Sequence, residues 1–260
     1  MKYKIRLIIF LLFIMLPFLC AAEDGQYLAK IVSIEGVVLW HKNKSFYWEE
    51  IKLNTELSTN DILKTAEESY CEIMFKEGHV LRMEPNSEIN IQSASYDNQD
   101  NVWKNLKISV GKIWVKLVKG TNEGEEFTIK TKYVSISKQD ALFAISAPTG
   151  KITTYEGELE VVGNKQKITI KQGYETVVDE GGNIQEGTIV SDKSRREFQA
   201  FSNQTTIKAE TMKHIRSTLE ESIKIASENE LIQAEDQEVY YETEIKRTFI
   251  KKIMDTLNKK

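Results

Sequence analysis

Residue types that carry out chemistry are present in this chain, but their spacing does not bring them together. His41, His79 and His214 are far apart and have no cysteine or carboxylate neighbour at metal-ligand spacing, so they read as ordinary surface or half-buried side chains. Asp97–Asn101 resembles a calcium loop only superficially, because the spaced acidic ligands, the central glycine and the bidentate glutamate are missing. Asp61 and Asp140 would form a carboxylate pair only through tertiary packing. Asp61 reads better as a turn residue whose side chain accepts from nearby backbone N–H groups. No Gly-x-Ser-x-Gly, His-Glu-x-x-His, P-loop or dinucleotide fingerprint occurs. We therefore expect no catalytic residue, no metal ligand and no cofactor, with an envelope hydrolase using a carboxylate pair as the rival reading. Trp40, Trp48, Trp103 and Trp114 read as core or sheet-face residues, the alternative being an aromatic ligand platform.

The elements that would position these residues are strands. From Tyr27 to about Val190 the chain runs in short apolar or alternating segments, punctuated by Glu35-Gly36, Thr59-Asn60, Glu77-Gly78, Pro85-Asn86, Pro148-Thr149-Gly150, Glu156-Gly157, Gly173 and Gly181-Gly182-Asn183. Close, even spacing with no interleaved helix pattern predicts an all-β unit over 27–190, a multi-stranded sandwich or a solenoid-like stack. The segments around Gly36, Gly111 and Gly157 share a strand-glycine-strand form at irregular period, a recurring local motif.

Near Ser191 the pattern changes. Residues 192–258 contain no Pro or Gly, and the apolar spacing becomes helical. Phe198, Phe201, Thr205, Met212, Ile215, Leu219 and Ala226 fall on one stripe, and Leu231, Ala234, Ile245, Phe249, Ile253 and Leu257 on a second. The Glu228-Asn229-Glu230 break predicts two helices over 191–260, with a single long helix as the alternative. Phe198, Phe201, Ile215 and Leu219 are the expected partner-binding residues. They would dock on the β unit, contact a partner or mediate self-association. The basic run Lys246–Lys260 suits a helix C-terminus, or a membrane- or partner-facing surface.

The N-terminus sets the expected compartment. Lys2, Lys4 and Arg6 precede the apolar run Leu7–Leu19, and Ala21-Ala22 offer small residues before Glu23, the layout of a secretory signal over 1–22. The run is short for a membrane span. Cleavage after Ala22 is the expected outcome, with retention as an anchor or lipidation at Cys20 as alternatives. The chain is thus expected to be exported, to the periplasm. Its net charge of −4 becomes three units more acidic without the signal, which gives no electrostatic reason to bind nucleic acid. After cleavage Cys71 would be the lone thiol, a small core residue rather than half of a disulfide.

From Ala29 to Val178 the chain resembles the FecR-type periplasmic domain. Val32–Val38 around Gly36, with Trp48 downstream, matches the opening strand-glycine-strand unit and its tryptophan. Leu57–Thr65 matches a turn leading into a strand that ends in threonine, with Asn60 in place of the family's glycine. Phe75, Gly78, Leu81, Met83, Pro85 and Ser87 match an apolar strand, a turn and a Pro-x-Ser pause, and Gly111, Gly157 and Gly173 match later turns. Two departures stand out: Thr131-Lys132 where the family has Thr-Pro, and Gln139–Phe143 where it has Arg-Gly-Thr-x-Phe. The resemblance implies a FecR-like β domain. Named regulators of the family also have a cytoplasmic segment that restrains a sigma factor. Only six residues precede the apolar run here, so that activity is not expected. What is expected is a non-catalytic envelope adaptor or sensor that contacts a protein or envelope polymer. A scaffold that oligomerises through its helical tail is the alternative.

Overall fold

The computed structural model describes residues 27–96, 102–119, 126–137, 140–164 and 166–229. The expected signal segment, the Asp97–Asn101 loop, the second apolar stripe and the basic C-terminal run lie outside the described residues.

The strands are β1 (Ala29–Glu35), β2 (Val38–His41), β3 (Glu49–Glu50), β4 (Glu56–Leu57), β5 (Ile62–Thr65) and β6 (Tyr70–Phe75). They continue as β7 (Val80–Met83), β8 (Glu88–Tyr96), β9 (Val102–Val110), β10 (Lys112–Leu117), β11 (Glu126–Lys130) and β12 (Ser135–Ser137). The last are β13 (Ala141–Ser146), β14 (Lys151–Glu156), β15 (Glu158–Val162), β16 (Lys167–Lys171), β17 (Tyr174–Val177) and β18 (Thr188–Ile189). They form two nine-stranded sheets, one ordered β4-β1-β6-β7-β10-β13-β14-β17-β18 and the other β3-β2-β5-β8-β9-β11-β12-β15-β16. Pairing is antiparallel except between β9 and β11. Alternate residues of both sheets, among them Leu63, Ile73, Leu81, Ile89, Leu106, Ile113, Ile129, Phe143 and Leu159, meet in one buried core. Of the two architectures expected, the chain adopts two sheets over a shared core.

The recurring strand-glycine-strand motif has a geometric cause. The chain passes repeatedly from one sheet to the other, and each fully described crossing contains a residue with positive φ. These are Gly36, Asn54, Asn60, Glu68, Asn86, Gly111, Gly157 and Gly173. Two of the corners are clamped by a serine from a neighbouring corner. Val37 N–H donates to Ser69 Oγ at 2.9 Å, and Lys112 N–H to Ser87 Oγ at 3.1 Å. A Cβ on Gly36 or Gly111 would collide with those same serines, so the position needs glycine for space as well as for φ. Thr65 Oγ1 accepts from Ser87 N–H at 2.9 Å and donates to the Glu84 carbonyl at 2.7 Å, which ties the Pro85-Asn86-Ser87 pause to the end of β5.

The first sheet is buried on both faces at its centre. In β10, Ile113, Val115 and Leu117 enter the inter-sheet core, while Trp114 points the other way into a second cluster with Leu142, Ala144 and Tyr155. Two helices cover that outer face: α1 (Asp192–Gln204) and α2 (209–229). Phe201 stacks on Trp114 at 4.4 Å and Phe198 on Tyr155 at 4.7 Å, while Met212, Ile215, Leu219 and Ile223 of α2 complete the layer.

The helices break at Thr205–Lys208, inside the stripe expected to be continuous from Phe198 to Ala226, whereas the expected break at Glu228-Asn229-Glu230 runs outside the described residues, which end at 229. Thr205 is extended, and the N–H of Thr206 donates to the buried Glu72 carboxylate at 2.8 Å instead of to a helical carbonyl. The strands Glu56–Leu57 and Thr188–Ile189, only two residues each, carry no periodicity of their own and are not foreseen by the pattern.

A candidate binding cleft and an exposed aromatic loop

The four tail residues expected to bind a partner are interior residues. Phe198 and Phe201 are 3% and 4% exposed, and Ile215 and Leu219 are 0% and 1% exposed. The face read as a partner surface is occupied by the chain's own first sheet, because Trp114, Leu142 and Tyr155 present an apolar surface that needs a cover.

Polar groups that could suggest catalysis belong to the same docking. Across β6, β7, β10, β13, β14 and β17 one row of register partners reads Glu72, Arg82, Trp114, Ala144, Thr153 and Glu175. At one end Glu175 accepts from Ser194 Oγ at 2.7 Å and pairs with Lys151 at 2.7 Å. At the other, Glu72 accepts from Thr206, and Arg82 donates to the Gln204 carbonyl at 3.2 Å and to Gln204 Oε1 at 3.1 Å. Five strand spacings are about 24 Å, and a helix the length of α1 is about 20 Å long. Helix α1 therefore lies across the strands with a buried carboxylate at each end. The Lys151–Ser191–Ser194 grouping is the N-cap of this helix: Ser191 Oγ accepts from Ser194 N–H, and Lys151 is engaged in its ion pair with Glu175.

Other sequence candidates resolve similarly. Asp61 is 1% exposed and accepts from Asn43 N–H at 2.8 Å and Ser58 N–H at 2.9 Å, the turn role expected of it. Asp140 pairs with Lys116. His79 Nδ1 accepts from Val118 N–H at 3.1 Å, and His41 packs on Trp48. The Cys71 thiol is buried, and that burial, with Glu72 beside it, pushes its pKa up to about 12, which makes it inert. Among the described residues no three His, Cys, Asp or Glu side chains converge on a metal position, and no described helix is long and apolar enough to cross a membrane.

Two surface features of the described residues bear on binding. One is a cleft of about 510 Å³ where four chain segments converge: the end of β9, the β11–β12 turn, the β13–β14 turn and the segment after β17. Val110, Tyr133, Pro148 and Val178 supply its apolar walls, and Lys132, Asp179 and Glu180 supply charge. Lys132 lies over the Tyr133 ring at 5.0 Å. Thr131 and Asp179 are committed to turns. Thr131 Oγ1 accepts from the N–H groups of Tyr133 and Val134. Asp179 accepts from Asn183 and Gly181, bonds that hold its carboxyl below the ordinary range. The cleft thus offers apolar contact, fixed charge and turn backbone, the materials of recognition. It also contains Thr131-Lys132, one of the two departures from the FecR pattern. Sequence reasoning missed the cleft because its walls come from four segments spread over some seventy positions.

The second feature is the β2–β3 loop, where Phe46 is 92%, Tyr47 73% and Trp48 40% exposed. Of the four tryptophans, Trp114 is in a core and Trp40 packs against one, whereas Trp48 lies on the surface under Lys64. The Trp103 side chain lies outside the described residues.

No curated protein matches this chain. Two crystal structures of a candidate anti-sigma factor from Parabacteroides distasonis ATCC 8503 align at 10% and 11% identity with TM-scores of 0.44 and 0.45. The alignments cover 53% of this chain and 63% and 64% of those chains, so this chain spans less than two thirds of their length. The family described as FecR protein matches residues 61–160 of this chain, from Asp61 to Glu160, a stretch that includes the Thr65, Ser87, Gly111 and Gly157 corners.

Proposed function

We propose that this chain is a non-catalytic binding module of the cell envelope, exported by its N-terminal segment, that acts as an adaptor or sensor. Its partner is an envelope protein or polymer, which it contacts through the cleft between the β11–β12 and β13–β14 turns. The observation that carries this reading is the character of the cleft. It combines apolar walls with rim charges of both signs, and its Thr131 hydroxyl and Asp179 carboxylate are tied into turns instead of poised for proton transfer. The FecR match supports it, since the corners within it shape the sheets and leave the turns between them to carry recognition. A photocrosslinking residue placed at Tyr133 of the exported protein, in intact cells, tests it. The reading predicts a discrete adduct that weakens when Val178→Asp is added. An adduct pattern identical to that from an exposed helix position such as Gln199 would overturn it.

A further inference from the structure

We infer that the β2–β3 loop is a membrane-interface contact that places Phe46 among the acyl chains of an anionic bilayer. The loop and the cleft consist of different residues, so this inference stands apart from the proposed function.

Exposed aromatic side chains in series need a reason, because leaving them in water gives up the free energy of burying them. Here they are held out by a built structure. Asn43 N–H donates to the buried Asp61 carboxylate at 2.8 Å, anchoring the base of the loop. Ser45 N–H donates to the Lys42 carbonyl at 2.9 Å, and Ser45 Oγ accepts from Tyr47 N–H at 3.1 Å. Lys44 takes the left-handed conformation at φ 66° to make the turn. Trp48 is fixed between His41, 5.3 Å away, and the Lys64 ammonium, 4.5 Å from its ring. A loop tied at this many points loses little freedom when it binds.

The order of exposure matches the profile of a bilayer interface. Phe46, with no polar side-chain atom, is the most exposed at 92%. Tyr47 and Trp48, which carry an O–H and an N–H, follow at 73% and 40%. Tyr and Trp favour the headgroup level, where one end is apolar and the other wet. Lys42 and Lys44 precede the three rings, and no carboxylate falls between His41 and Trp48; Glu49 and Glu50 follow them, on β3. Lysines on flexible stems reach anionic headgroups while their methylenes lie along apolar surface. A pocket in a protein partner would take one anchor ring. Three consecutive rings graded by polarity fit a layered solvent better.

Co-sedimentation of the purified exported protein with vesicles tests the inference, comparing phosphatidylglycerol in phosphatidylcholine with phosphatidylcholine alone. Phe46→Ser should weaken binding to the anionic vesicles by about tenfold or more. Lys42→Glu with Lys44→Glu should remove the preference for anionic vesicles, at about fivefold for each lysine. Phe46 is on the surface, so an unchanged circular dichroism melt will show that each variant is folded. Equal binding by wild type and Phe46→Ser would overturn the inference. So would absence of binding to either vesicle with a protein adduct formed from position 46, since the loop would then belong to a protein partner. Loss of the Tyr133 adduct with vesicle binding intact would sink only the cleft reading.

Discussion

Glu175 sits 8% exposed among Lys151, Thr153 and Ser194. Burial alone would raise its pKa, but the hydrogen bonds from Lys151 and Ser194, with the lysine's charge, together outweigh that and hold the carboxyl below its ordinary range. The ionised form is therefore the one that favours folding. Its contribution is present above the unfolded pKa and is lost as pH falls through the folded one. Glu175→Gln should lower stability at neutral pH by about 1–3 kcal/mol. The gap to wild type should close as pH drops below about 4, read by urea unfolding at a series of pH values. Glu84 runs the other way, since burial raises its pKa despite Arg82 nearby, so the difference between variants and not the wild-type curve is the informative quantity. In the sequence Glu72 and Glu175 are single acids within strand segments, and nothing in those segments marks them as buried. What buries them is the helical segment, with Thr206 lying 134 positions from Glu72 and Ser194 lying 19 from Glu175. Asp61, by contrast, was legible, because its role is set by the turn it occupies.

At the scale of elements, the strands announce themselves through alternation and turn residues, and even the two-sided burial of the first sheet leaves a trace. Its central strands read Ile113-Trp114-Val115 and Ala141-Leu142-Phe143-Ala144-Ile145, runs apolar on both parities, as expected where both faces are covered. The break at Thr205–Lys208 was not foreseen because Phe201, Thr205 and Met212 keep helical spacing across it. A tertiary hydrogen bond, from Thr206 N–H to Glu72, ends α1. The rings beneath α1 give the layer its strength. Phe201→Ala removes a ring stacked on Trp114 with an interplanar angle of 6°. It should cost about 3–5 kcal/mol in guanidinium unfolding.

Over the whole molecule, three layers result: the second sheet, the first sheet and the helix pair. The second sheet keeps a polar outer face, with Lys64 paired to Glu88 at 2.9 Å and Lys107 and Lys130 exposed. The sequence showed that a helical segment follows a β unit and that its stripe must be buried. It could not show what the stripe is buried against, because the complementary surface on the first sheet is assembled from β10, β13 and β14 only after folding. The exposure of Phe46, Tyr47 and Trp48 was equally hidden, since aromatic residues beside short strands normally enter a core. The assignment of recognition to the cleft and the loop rests on the helices being an integral layer. Native-state hydrogen exchange measures this directly. Amides of 192–229 should be protected and should open together with those of β10, β13 and β14 at every protein concentration. Exchange of 192–229 at the rate of an unstructured peptide, while those strands stay protected, would contradict the account.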